Sequence, residues 1–205
     1  VTHYVAASGS NNGVADDPLQ PWNSIKRAIN AIPADLVAAG STYFVRILDS
    51  STYGDAVVIN KTTDATYNIT VEVAAGQTPL IVAPGEKHAV QIKCAYTTID
   101  GLSIQASKKW GINVNDATHA TIRNCTISGG IENNQGGIRL HKASYSRVHD
   151  CLIHTNVTGV RISENTDYAS LRNNLILDAE NRSNGVFIDK QADADTLINN
   201  TIVGY

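Results

Sequence analysis

The sequence predicts an all-β fold, a parallel β-solenoid, on three observations. A six-residue motif with apolar residues at both ends recurs as Ile99-Asp-Gly-Leu-Ser-Ile104, Ile122-Arg-Asn-Cys-Thr-Ile127, Val148-His-Asp-Cys-Leu-Ile153, Leu171-Arg-Asn-Asn-Leu-Ile176 and Leu197-Ile-Asn-Asn-Thr-Ile202, at intervals of 23, 26, 23 and 26 residues. A Gly-led motif keeps the same phase: Gly111-Ile-Asn-Val, Gly137-Ile-Arg-Leu, Gly159-Val-Arg-Ile and Gly185-Val-Phe-Ile. The apolar pieces are short, β-branched and alternating, which is strand periodicity and too short for helix. Two signals in register mark an internal repeat. Two or three strands per repeat, joined by Gly and Asn corners, close one coil. Coils stack at the strand spacing of about 4.8 Å, and no coil is stable alone. A leucine-rich repeat has a similar period, but its Leu-x-x-Leu-x-Leu-x-x-Asn pattern is absent.

Each element follows from its residues. Asn23 is placed to cap a helix starting near Ser24, with Ile25, Ala28, Ile29 and Ile32 on one face and Pro33 as its stop. An amphipathic helix of this kind covers the apolar end of the first coil. Residues 1–42 are thus a lead-in segment with a capping helix, and residues 43–205 form about seven coils of a single domain. The corner column Gly101, Asn124, Asp150, Asn173, Asn199 suits left-handed backbone. The next column reads Leu102, Cys125, Cys151, Asn174, Asn200, with its Cys positions inward, and the stacked Asn side chains of these corners form an asparagine ladder. The sequons at Asn60, Asn68, Asn124, Asn156, Asn181 and Asn199 read as by-products of this corner chemistry. Cys94, Cys125 and Cys151 read as free, buried thiols. The last repeat ends at Ile202-Val-Gly-Tyr205 without a cap, so either more chain follows or another surface packs there.

Composition narrows the function. The chain has 205 residues, 42% hydrophobic and 17% charged, with a net charge of −3. This excludes a disordered chain and argues against a nucleic-acid protein with a broad basic surface. No apolar run is long enough to span a membrane. Met is absent, even at position 1, so the expectation is a processed or partial chain whose export signal has gone.

The opening Tyr4-Val-Ala-Ala-Ser-Gly-Ser-Asn-Asn-Gly13, followed by Pro18-Leu-Gln-Pro-Trp-Asn-Ser-Ile-Lys-Arg-Ala-Ile29, resembles the start of right-handed parallel β-helix proteins of the pectate-lyase-like superfamily. Tyr43-Phe-Val-Arg-Ile47 and Tyr53-Gly-Asp-Ala-Val-Val-Ile59 resemble their first coil. The resemblance covers essentially the whole chain and implies right-handed winding. It is specific for fold and weak for function, because the superfamily holds lyases, hydrolases, epimerases, tailspikes and adhesins. Its lyases abstract the proton α to a uronate carboxyl with an Arg or Lys base and neutralise the carboxylate with Ca²⁺ or another cation. By this resemblance the catalytic candidates are Arg139, His141, Arg161, Lys142, Asp189 and Lys190.

These candidates occupy outward columns. Asn113, Arg139, Arg161 and Phe187 form one, Asn115, His141, Ser163 and Asp189 the next, then Asp116, Lys142, Glu164 and Lys190. The third alternates in sign and reads equally as a surface salt-bridge ladder. Arg139 and Arg161, like charges one coil apart, suit a uronate carboxylate, against a merely solvated face. His141 beside Arg139 is a candidate general acid or base. Tyr96, His119, Tyr145 and Tyr168 form an aromatic column that either stacks sugar rings or stiffens the corner. Asp167, Asp193 and Asp195 gather carboxylates on adjacent turns, as Ca²⁺ requires, or are simply solvated.

Two functional classes remain open. One is a secreted or cell-surface carbohydrate-active protein acting on acidic polysaccharide, polysaccharide-lyase-like if it is an enzyme. The other is a non-catalytic module of an extracellular fibre, spike or surface layer, assembling head to tail through its coil ends into a filament. No lyase-diagnostic motif is present, and the loops are brief.

Overall fold

The computed structural model describes residues 1–106, 108–129, 135–155, 157–178, 184–189 and 191–204. Three parallel sheets wrap one apolar interior. The first holds Thr2–Ser10, Tyr43–Ile47, Ile69–Val73, Thr97–Asp100, Thr121–Arg123, Arg147–His149, Ser170–Arg172 and Thr196–Ile198. The second holds Val57–Ile59, Val90–Ile92, Ile112–Asn115, Gly136–His141, Thr158–Ser163 and Val186–Ile188. The third holds Thr52–Tyr53, Leu80–Val82, Ser103–Ala106, Thr126–Gly129, Leu152–Thr155, Leu175–Asp178 and Thr201–Val203.

From Tyr43 the chain visits the first, third and second sheets in turn. Among the described residues this gives six complete coils and two strands of a seventh, slightly fewer than the sequence predicts. Both repeat columns are interior. Ile99, Ile122, Val148, Leu171 and Leu197 are partners along the first sheet. Ile104, Ile127, Ile153, Ile176 and Ile202 are partners along the third. All of these except Leu197 and Ile202, in the last coil, are buried.

The Gly-led motif has a packing cause. A Cβ on Gly137 would lie 2.6 Å from the Gly159 carbonyl oxygen and 2.6 Å from Ile153 Cγ2. Gly111 is confined in the same way by the Gly137 carbonyl and Ile127, and Gly159 by the Gly185 carbonyl and Ile176. The second sheet thus approaches the third too closely for a side chain at the glycine that leads each of these repeats.

The corners take the expected left-handed backbone. Gly101, Asn124, Asp150, Asn173 and Asn199 all have φ between 52° and 78°. In the adjacent inward column Asn174 is buried. Its side chain accepts from Cys151 N at 3.1 Å and donates to Val148 O at 3.0 Å. Asn200 Nδ2 likewise donates to Leu171 O at 2.9 Å. Cys125 and Cys151 hold the same place with long thiol contacts to Ile99 O and Ile122 O, and all three cysteines are free and buried. Asn174→Ala strips a backbone donor and acceptor of their partners, and the expected loss is about 1–3 kcal/mol in chemical denaturation.

The lead-in segment is built into the solenoid, because Thr2–Ser10 pairs directly with Tyr43–Ile47. The helix Ile25–Ala31 lies against the strands Thr2–Ser10, Tyr43–Ile47 and Val57–Ile59, with Ile25, Ala28, Ile29 and Ile32 buried. Its cap is Ser24, whose hydroxyl accepts from Arg27 N at 3.2 Å, and not Asn23 as predicted. Asn23 instead ties back to the preceding loop, donating from Nδ2 to Asn11 Oδ1 at 2.7 Å. Ile32 is extended, as the residue before a proline prefers. A second short helix, Leu36–Ala39, went unpredicted. Asp35 caps it and Gly40 ends it at φ 63°.

Candidate functional site

The second sheet brings most of the catalytic candidates onto one outer face. Arg139 and Arg161 are direct partners on the adjacent strands Gly136–His141 and Thr158–Ser163, and His141 pairs with Ser163. Arg139 Nη2 donates to His141 Nδ1 at 2.9 Å. Arginine has only donors, so Nδ1 accepts and the ring proton of the neutral histidine sits on Nε2. Nε2 faces Glu164 Oε2 at 3.6 Å. Arg161 lies 3.6 Å from Asp189 Oδ2 and 5.2 Å over the Phe187 ring. Among the described residues the buried Nε atoms of Arg139 and Arg161 have no hydrogen-bond partner.

Electrostatics follow from this crowding. Burial and the Arg139 charge hold the His141 pKa below the ordinary histidine value. Burial and the Arg161 charge lower that of Arg139. Lys142 sits at the corner with φ 50°, and its ammonium lies 3.9 Å from Asp116, one rung of the alternating-sign ladder. Lys190 lies outside the described residues, as do Asn156 and Asn181.

Burial also lowers the pKa of His3 and His88. In each of the three histidines the folded value lies below the unfolded one. The unfolded chain therefore binds more protons on the acid side, and stability falls as pH drops below the ordinary value of 6.5. The expected result is a melting temperature that declines progressively from about pH 6.5 downward, measured by scanning calorimetry.

The aromatic column is a continuous stack. Tyr96, His119, Tyr145 and Tyr168 have successive ring centroids 4.6, 5.0 and 5.1 Å apart, with interplanar angles of 18°, 18° and 7°. All four residues have φ between 52° and 61°, which projects each ring from the same corner. Rings this close leave no gap for a sugar between them. They spend their inner faces on one another, so the stack is first a corner stiffener.

Beside the stack runs a groove on the first sheet that the sequence reading missed. A cleft of about 580 Å³ is lined by Tyr145, Arg147, His149, Tyr168, Ser170, Arg172, Asn173 and Thr196. A smaller one of about 250 Å³ lies against Tyr96, His119 and Tyr145. Among the described residues Arg123 is paired with Asp100, whereas Arg147 and Arg172 have no carboxylate partner. Arg123, His149 and Arg172 are register partners, each one residue after the interior Ile122, Val148 or Leu171, so that their shared column is legible in the repeat. The cleft itself is not, because Tyr145 and Tyr168 wall it with side chains whose placement the repeat does not encode.

The three aspartates form no such cluster. Asp167 Oδ1 accepts from Asp193 N at 3.1 Å, and Asp195 Oδ1 accepts from Ala169 N at 2.8 Å. Asp195 Oδ2 is buried without a partner, and burial raises its pKa. Among the described residues no group of three or more His, Cys, Asp or Glu side chains is arranged to hold a metal ion. The carboxylates of Asp167 and Asp195 serve as backbone acceptors between coils.

Fold and outer face together define a three-sheet parallel β-helix with its chemistry-bearing side chains on the outside of stacked strands. The right-handed β-helix region pattern matches residues 54–205, and the chain belongs to that family, with right-handed coils. No curated protein sequence matches it. Among solved structures it is similar to the pectate lyase Pel9A, at 14% identity and a TM-score of 0.63, over 89% of this chain and 54% of that one. The chain thus spans about half the length of that lyase chain. It also aligns with the deglycosylated pectin methylesterase from Aspergillus niger, at 10% identity and a TM-score of 0.36, over 99% of this chain and 86% of that one. At these identities the likeness concerns fold. No helix among the described residues is long and apolar enough to cross a membrane.

Proposed function

We propose that the chain is an extracellular carbohydrate-active β-helix protein that binds acidic polysaccharide and cleaves it by β-elimination. The observation that carries this reading is the Arg139–Arg161 pair, like charges on adjacent strands, with a neutral His141 held against Arg139. Two guanidinium groups side by side match a carboxylate through parallel charge-assisted bonds. Similarity of fold to a pectate lyase supports the substrate class by analogy only.

The chemistry follows from the geometry. A uronate carboxylate takes the guanidinium of Arg139 away from His141 and so frees the lone pair on Nδ1. His141 then removes the proton α to the carboxylate. The electron pair forms the new C=C bond, the β carbon–oxygen bond breaks, and the leaving oxygen takes a proton from water. Glu164 stabilises the imidazolium through Nε2. Arg161 holds the carboxylate as charge develops on it.

The test is a scan of pectate, alginate and glycosaminoglycans for the ultraviolet absorbance of an unsaturated product, with calcium and with a chelator. Product from at least one uronate polymer is expected. No product from any of them sinks the lyase reading, and dependence on calcium brings Asp167, Asp193 and Asp195 back into the site.

A second reading, head-to-tail association into a filament, rests on the last coil. Ile188, Leu197 and Ile202, whose strand partners Ile162, Leu171 and Ile176 are buried, are each at least 42% exposed in the last coil. Sedimentation over a wide concentration range tests it. Mass increasing with concentration is expected, and a strictly monomeric species removes the idea.

A further inference from the structure

The aromatic stack ends at a missing rung. Each ring-bearing residue donates its backbone N–H to the carbonyl of the residue before the next rung: Tyr96 to Thr118, His119 to Ser144 and Tyr145 to Asp167. Tyr168 continues the pattern by donating to Asp193 at 3.0 Å, which makes Ala194 the fifth rung. Its φ of 57° lies among those of the four ring residues. Where the repeat places a ring, this rung carries a methyl group, and both Tyr168 and Ala194 are exposed.

The consequence is local. Tyr145 has a ring on both faces, whereas among the described residues no ring lies on the face of Tyr168 turned toward Ala194. A flat ligand ring stacked there would lie at the height of the Ala194 rung, since coils repeat at about 4.8 Å. Tyr168 also lines the larger groove, together with Arg147, Arg172 and Thr196. Aromatic faces favour flat apolar surface, and a pyranose presents such a surface on its C–H face. The two arginines without carboxylate partners supply donors for an anion at the ring's edge.

We propose that the space beneath Tyr168 is a sugar subsite in which one uronate ring of an acidic oligosaccharide takes the place of the missing fifth aromatic rung. Its carboxylate lies on the arginines of the groove. The subsite lies on the first sheet, across the corner from Arg139 and His141, and it holds whether or not those residues are catalytic.

Filling the rung tests it. Ala194→Tyr places a tyrosine on backbone that tyrosine already adopts at Tyr96, Tyr145 and Tyr168, so the variant should melt no lower than the parent. Titration calorimetry with an oligogalacturonate hexamer, and with the same hexamer carboxyl-reduced, reads binding. The expected results are tenfold or greater loss of hexamer affinity in Ala194→Tyr and in Tyr168→Ala. Arg172→Gln should weaken the charged hexamer and leave the reduced one unaffected, while the double variant Arg139→Gln/Arg161→Gln should keep binding at this subsite. Parent-like affinity in Ala194→Tyr overturns the subsite. So does equal affinity of the parent for charged and reduced hexamers, or no binding of either. Loss of cleavage in the double variant, with Ala194→Tyr still costing it tenfold in hexamer affinity, separates this site from the lyase reading.

Discussion

Ile153→Asp is expected to abolish folding. Ile153 is fully buried at the middle of a column, with Ile127 and Ile176 as its strand partners. Removing a buried isoleucine side chain costs about 2–5 kcal/mol from lost packing alone. A carboxylate there has no partner and must be desolvated or protonated, adding several kcal/mol more. Net stabilities of domains are about 5–15 kcal/mol, so the two costs together consume most or all of it. The solenoid adds a second reason: each coil is stabilised by its neighbours, so one unfolded coil exposes the interior faces of two others. Loss of the β-sheet circular dichroism signal and a shift to early elution on gel filtration are expected. Ile153→Val, which costs about 0.5–1.5 kcal/mol, should fold and melt in one transition. A well-folded Ile153→Asp protein would contradict the interior assignment of the whole column.

The same periodicity explains what could be read from the sequence. A solenoid repeats one local environment many times, so the inward columns of Ile99 and Ile104 and the left-handed corner of Asn124 show themselves as recurring residues. The second sheet was readable for the same reason, because Gly137 marks a position where a Cβ has no room. The lead-in segment does not repeat, and there the reading slipped. Asn23 and Ser24 are both good caps in isolation, and the choice was made by a contact from Asn23 to Asn11 that no local pattern encodes. Leu36–Ala39 is too short to show helical periodicity.

The site divides along the same line. Which residues share a column follows from register, so Arg139, Arg161 and His141 could be placed on one face in advance. How side chains use the space between columns does not follow. Asp167 and Asp193 share a loop column with Asp195 two residues on, yet the carboxylates of Asp167 and Asp195 turn to backbone N–H groups. The ring column was legible, but its self-stacking emerges only from the ring spacing, and the empty rung at Ala194 from the backbone bonds between coils. The groove over Arg147 and Arg172 is walled by Tyr145 and Tyr168 and emerges in the same way.

His141→Ala and Arg139→Gln are expected to differ in how they fail, and that difference tests the division of labour between them. If His141 removes the proton, His141→Ala lowers kcat by about 10²–10⁴-fold, the usual range for losing a general base, with KM little changed. Arg139→Gln loses a charged contact to the substrate carboxylate that exists both before and during proton removal. It should raise KM strongly and lower kcat less, because neutral Gln still donates. The pH profile carries a further signature. The base must be unprotonated, and burial with the Arg139 charge holds the His141 pKa below 6.5. The acid limb of kcat/KM should therefore fall below the ordinary histidine value in the parent. Arg139→Gln removes the lowering charge, so the limb should move to higher pH. A limb that stays in place in Arg139→Gln, or a His141→Ala protein with parent kcat, shows that His141 is not the base and returns the role to another group on this face.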